Sequence, residues 1–194
     1  MSLRSRHSAV IEPEWGDWRS HRLYDIPTGM PAWLRDTGSL TRRVIEACGA
    51  GCFRVRLLHQ GWGAALNSER RLLKTRRGVV TLIREVELVC DDRPWVFART
   101  LIPATSLQGA ARRLAHLGEK PLGAVLFSEP HVVRGVTQIA RLLPRHPLFA
   151  AACSHLDEWP AELWGRRTLF HLSGRPLLVN EIFLPGIPLK GGKR

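Results

Sequence analysis

The chain has 194 residues, enough for one domain whose core needs no disulfide or metal staples. Hydrophobic residues make up 44% and charged residues 24%, which excludes a wholly disordered or collagen-like chain. Lysine and arginine outnumber aspartate and glutamate by 29 to 17, giving a net charge of +12 and a pI near 11.0. That balance favours anionic partners in general, namely nucleic acid, an acidic membrane surface or a small polyanion, but charge alone assigns no specific ligand.

No run approaches the ~18 apolar residues of a membrane span, and no apolar stretch follows Arg4 and Arg6. A cytoplasmic protein is therefore expected. Cys48, Cys52, Cys90 and Cys153 lack zinc-site spacing, so free thiols are the expectation, and no metal site is expected.

Residues 1–20 read as an arm without sustained periodicity, laid on the surface or flexible; 21–190 as the folded domain; and 191–194 as a basic tail. Pro31 opens a short helix through Arg35. Ser39 caps a helix over residues 42–47, with Gly49 as its stop. Phe53, Val55 and Leu57 alternate with Arg54, Arg56 and Leu58 as a strand, which Gly61-Trp62-Gly63 is expected to break. A helical turn is expected near Glu69–Leu73. Val79–Cys90 and Trp95–Ile102 then form a hairpin around Asp91-Asp92-Arg93-Pro94.

Thr105 or Ser106 caps an amphipathic helix with apolar Leu107, Ala110, Ala111, Leu114 and Leu117, closed by Gly118. Pro121 opens a short helix through Phe127, and Val132–Ile139 is a strand. Residues 144–165, rich in proline and tryptophan, read as loop. Arg167–Leu172 and Leu177–Leu184 form a last hairpin around Ser173-Gly174-Arg175-Pro176. Antiparallel strands with intervening helices predict an α+β domain, its sheet covered by helices on one face.

Alternation isolates two charges. Arg84 shares a strand face with Leu82, Val86, Leu88 and Cys90, whereas Ile83, Glu85 and Glu87 mark the expected solvent face. Glu181 shares its face with Leu177, Val179 and Phe183. A buried, unpartnered charge costs several kcal/mol, so each needs a partner. Either they pair with each other, or with other residues, as structural bridges, or they sit apart in one cavity and hold opposite ends of a ligand. A guanidinium fork suits a carboxylate, and a buried carboxylate suits a hydroxyl. Arg99, beside Phe97 and Leu101, is either a second carboxylate partner or exposed.

The chain resembles bacterial chorismate pyruvate-lyases in a series of short matches. These are Gly38-Ser39-Leu40-Thr41 with Arg43; Arg84-Glu85-Val86; Pro94-Trp95; Ala98-Arg99-Thr100; and Lys120-Pro121-Leu122-Gly123. Trp164-Gly165-Arg166-Arg167, read on its own as a structural turn, Ser173-Gly174-Arg175-Pro176 and Glu181-Ile182-Phe183-Leu184-Pro185 complete the series. The resemblance spans roughly residues 30 to 189. It implies a monomeric α+β domain that converts chorismate to 4-hydroxybenzoate and pyruvate without metal or organic cofactor, beneath helical flaps. It also implies that Arg84 and the Leu122 N–H hold the ring carboxylate, that Glu181 meets the ring hydroxyl, and that Leu40 stands where some members carry methionine.

Two rival functions remain open to the sequence. One is a small-molecule sensor of the same fold, although no helix-turn-helix segment fits the first 30 residues. The other is a nucleic-acid binder, but the arginines are dispersed and no stacking platform accompanies them, so no specific nucleic acid is expected. Loose association with a membrane surface is left open by the charge.

Overall fold

The computed structural model describes residues 10–20, 25–126, 129 and 131–189. The first nine residues of the expected arm, the tail at 191–194 and Phe127 lie outside the described residues.

Six strands form one antiparallel sheet in the order β1-β2-β3-β6-β5-β4. They are β1 Phe53–Gly63, β2 Thr81–Cys90, β3 Arg93–Pro103, β4 Val132–Leu142, β5 Leu163–Leu172 and β6 Arg175–Phe183. The helices are α1 Met30–Leu34, α2 Leu40–Cys48, α3 Asn67–Leu72, α4 Leu122–Leu126 and α5 Pro147–Cys153. None is long and apolar enough to cross a membrane.

The two expected hairpins are present with tighter turns than the sequence predicts. Asp91 and Asp92 have φ of 46° and 64°, and Ser173 and Gly174 have 50° and 77°, so each loop has two residues in the left-handed region. Arg93-Pro94 and Arg175-Pro176 therefore already belong to β3 and β6. Pro94 and Pro176 lie beyond the stretch where β3 and β6 pair with each other, so their missing N–H breaks no ladder bond there.

Both faces of the sheet are covered, not one. The front carries two apolar clusters. Trp33, Leu40 and Val44 of α1 and α2 pack on Val55, Val86, Val96 and Phe183. Ala111, Leu114, Leu117 and Leu126 pack on Leu82, Ile102, Leu177 and Val179. On the back, α5 packs on Phe97, Leu142 and Ile182, and Leu73, following α3, packs on Ile83, Leu101 and Leu178.

The supposed solvent face of β2 is thus interior. Ile83 and Glu87 are buried, Glu87 pairs with Arg56, and Glu85 pairs with Arg99. Residues 12–16 lie against this side. Gly16 bridges Ile139, the Glu12 carboxylate accepts from the N–H groups of Asn67 and Ser68, and Trp15 lies under the Arg167 guanidinium.

Several elements differ from the sequence expectation. Residues 109–116 form 3-10 turns rather than an α-helix, and buried Ala111, Leu114 and Leu117 recur every three residues, the period of that tighter turn. Strand β1 runs through Gly61-Trp62-Gly63, since an edge strand tolerates an exposed tryptophan, and a Cβ on Gly63 would meet Ile83 Cδ1 at 2.9 Å. Helix α5 fills part of the expected 144–165 loop; its sequence, Pro-Leu-Phe-Ala-Ala-Ala-Cys, is apolar all round and so shows no periodic contrast.

The expected free thiols are also corrected. Cys48, at the end of α2, is bonded to Cys90, at the end of β2, with Cα atoms 6.0 Å apart; Cys52 and Cys153 are free. The pairing of Phe53 with Cys90 brings the two together after the turn at Gly49, a proximity that spacing in sequence does not show.

Candidate functional site

The register builds the site. Arg84 on β2 stands opposite Thr100 on β3, which stands opposite Val179 on β6 and, beyond it, Thr168 on β5. The next row on the same face carries Val86, Ala98, Glu181 and Arg166. Arg84 and Glu181 therefore lie two strands and two residues apart on the front face, in the gap between its two apolar clusters.

That gap is a pocket of about 60 Å³. Its floor is the sheet. One wall is Gly38–Thr41 at the start of α2, and the other is Pro121, Leu122, Gly123 and Leu126 around α4. Leu40, Arg84, Leu122 and Glu181 all line it.

Arg84 is buried and does not pair with Glu181. Its Nε donates to the Gly118 carbonyl at 3.3 Å, and its Nη2 donates to Gly118 and Lys120 carbonyls at 2.8 and 2.9 Å. Among the described residues, Nη1 makes no hydrogen bond and no carboxylate forms an ion pair with the guanidinium. Burial lowers its pKa from the ordinary arginine value, with no nearby anion to compensate. Neutral carbonyls thus fix the orientation of a cation whose charge is left for something else. Gly118, with φ of +53°, gives the chain the turn that presents these carbonyls.

Glu181 is partnered by Arg166, whose Nε donates to Glu181 Oε2 at 2.5 Å. Arg166 is only 1% exposed in its side chain and also donates to the backbone carbonyls of Trp33, at 3.1 Å, and Asp36. It ties the α1–α2 connection to the sheet. Leu40 is the first residue of α2, which is capped by Ser39 accepting from the Arg42 N–H at 3.4 Å. The Leu40 side chain belongs both to the core and to the cavity wall. Leu122 is half-buried and opens α4, where its N–H has no intrahelical acceptor.

Arg99 takes neither of its expected roles. It stands opposite Glu85 on the back face and is largely buried there, with Nε 3.1 Å from Glu69 Oε1 and Nη1 2.6 Å from Glu85 Oε1. Trp164-Gly165-Arg166-Arg167 is strand, not turn: Gly165 lies in β5 opposite Ile182 and Ala140.

Sequence reasoning missed Arg166 and Arg134, which also line the cavity. Arg166 was hidden by the turn assignment. Arg134 was hidden by a β-bulge. It pairs with Phe170, whereas Thr137, three residues on, pairs with Thr168, only two residues back. Simple alternation from Thr137 would place Arg134 on the back, and the extra residue turns it to the front. The glycine at 135 was the available signal. Among the described residues, three arginines and one glutamate line the cavity, which leaves two positive charges.

Comparison with known proteins agrees with this architecture. Residues 15–191 match the family described as chorismate lyase. A protein of Methylococcus capsulatus named "Probable chorismate pyruvate-lyase" is 45% identical over 158 residues, covering 81% of this chain and 96% of that one. One of the same name from Nitrosomonas europaea is 41% identical over 161 residues, covering 83% and 89%.

Among solved structures, the effector domain of PhnF from Mycobacterium smegmatis shares the fold, with a TM-score of 0.53 and 17% identity over 77% of this chain and 90% of that chain. The C-terminal domain of the histidine utilization repressor from Pseudomonas syringae does so with a TM-score of 0.52 and 13% identity, over 74% and 99%. On the match across most of its length and on the identity to these relatives, the chain belongs to the chorismate lyase family.

Proposed function

We propose that the protein converts chorismate to 4-hydroxybenzoate and pyruvate, the step that supplies 4-hydroxybenzoate for ubiquinone synthesis. The observation that carries this reading is a buried arginine and a glutamate, not paired with each other, lining one cavity with a surplus of two positive charges. The names of the family's members support it, and chorismate is a dianion.

In this reading Arg84 holds the ring carboxylate through Nη1, aided by the Leu122 N–H, while Glu181 accepts from the hydroxyl at ring C4. The apolar walls, Val86, Leu88, Phe170 and Val179 among them, exclude water from the ring. Formation of 4-hydroxybenzoate breaks the C3–O ether bond and the C4–H bond, and aromatisation drives both. The protein's work is then orientation and desolvation, for which no metal or organic cofactor is required.

The C4 hydrogen is cis to the departing ether. It passes to the enolpyruvyl methylene through a six-membered arrangement, completing the methyl group of pyruvate. Deuterium at C4 should therefore appear in that methyl group; complete washout into solvent would instead assign proton removal to Glu181 or a water it holds.

Arg84→Ala should lose most ligand binding, and Arg84→Lys should recover little of it, because an ammonium cannot hold two backbone carbonyls and a carboxylate in one plane. Glu181→Gln should keep the fold and weaken the hydroxyl contact. Unchanged kinetics in either Arg84→Ala or Glu181→Gln would remove that residue from the site. The protein acts, in this reading, as a cytoplasmic monomer.

A further inference from the structure

We infer that Arg134 binds the second carboxylate of the substrate, the one on the enolpyruvyl ether, and so selects a dianion over its monocarboxylate product. The inference rests on the proposed reaction. Of the three cavity arginines, Arg166 is committed to Glu181 and to two carbonyls, and that pair is neutral. Arg84 and Arg134 remain, and neither forms an ion pair with a carboxylate among the described residues.

Arg134 donates from Nη1 to the Thr37 carbonyl, and its Nη2 only grazes Thr168 Oγ1 at 3.5 Å; its Nε has no partner among the described residues. Its charge is offset only at a distance. Burial and the nearby Arg166 lower its pKa, while Glu181 and Asp36 act the other way without bridging it. The guanidinium also lies 5.6 Å from the centre of the Phe170 ring, a wall of the same cavity.

Placement gives the second half of the argument. Arg84 is on β2 and Arg134 on β4, at opposite ends of the run β2-β3-β6-β5-β4. Strands four apart are separated by about 19 Å, so the two side chains reach into the cavity from opposite sides. One cation therefore waits at each end, with the Glu181–Arg166 pair between them. A ligand with one carboxylate satisfies one end only; chorismate, with a carboxylate on the ring and another on the ether arm, satisfies both. The bulge at Gly135-Val136 is what turns Arg134 toward this role.

The test compares two ligands on Arg134→Met and Arg134→Lys, with thermal unfolding as a check on folding. Losing a charge-assisted carboxylate contact should raise the KM for chorismate about ten- to a hundredfold, with Lys restoring part of it. The Kd of 4-hydroxybenzoate, measured by calorimetry, should stay within about twofold of wild type by the same reasoning. An unchanged chorismate KM would overturn the inference. So would parallel weakening of both ligands, which would show a merely structural arginine. If the wild type binds chorismate without converting it, the proposed reaction fails while the same comparison of Kd values still decides Arg134. If it binds neither ligand, both fail.

Discussion

Replacing Arg166 with methionine separates the architecture of the site from its chemistry. The Arg166 side chain is 1% exposed and that of Glu181 15%, and they meet at 2.5 Å. Arg166→Met strands a largely buried carboxylate and frees the carbonyls of Trp33 and Asp36. Breaking a buried pair from one side costs about 3–5 kcal/mol. Because Glu181 borders a cavity that water can enter, the lower end, about 3 kcal/mol, is expected.

For a chain of this length that lowers Tm by about 6–12 °C. Glu181→Gln keeps an acceptor for the guanidinium and should cost only about 1 kcal/mol. In the double variant Arg166→Met, Glu181→Met no charge is stranded, so most of the stability should return while turnover does not. Urea unfolding of wild type, Arg166→Met, Glu181→Met and the double variant measures the cycle, with an expected coupling of at least about 2 kcal/mol. A double variant as unstable as Arg166→Met would refute the reasoning, as would an Arg166→Met protein as stable as wild type.

Three further outcomes are expected. Removing the Cys48–Cys90 bond, by reductant or by the double replacement with serine, opens a loop spanning 42 residues. Chain entropy puts the loss at about 4 kcal/mol, or about 8–16 °C in Tm; an unchanged Tm under reductant would contradict it. In Gly165→Ala the new Cβ would lie 2.5 Å from Ile182 Cδ1 and 3.1 Å from the Glu181 carbonyl, which belongs to a central strand and cannot yield. A loss of about 1–3 kcal/mol and slower turnover should follow, and a wild-type melting curve would count against this packing.

The third concerns acid. Burial raises the Asp36 carboxyl pKa, but the Gly38 N–H and Arg43 outweigh it, so the net shift is below the ordinary value. A depressed carboxyl contributes fully above its unfolded pKa and loses that contribution as pH falls through the folded one. Wild type should therefore lose stability below about pH 4 more steeply than Asp36→Asn; parallel Tm–pH curves would show that Asp36 contributes nothing there.

How much was legible in the sequence follows from what local chemistry can encode. The hairpins announce themselves in Asp-Asp and Ser-Gly, which tolerate the left-handed region, between β-branched or apolar runs. Arg84 and Glu181 stood out because period-two alternation put charge among apolar neighbours, and both open into the cavity. Alternation fails wherever the period slips, which is why Arg134, before a bulge, was invisible. It also needs one polar face to read, so the back face of β2, where Glu85 and Glu87 are neutralised by Arg99 and Arg56, looked like a solvent face. Helix α5 carried no polar contrast. The Cys48–Cys90 bond depends on strand register, a property of the whole sheet rather than of any local segment.

The central claim is tested most directly by incubating the purified protein with chorismate in the presence of EDTA and quantifying 4-hydroxybenzoate and pyruvate together. The account predicts equal amounts of both from the wild type and neither from Arg84→Ala. Absence of turnover by the wild type, or pyruvate released without 4-hydroxybenzoate, would contradict it.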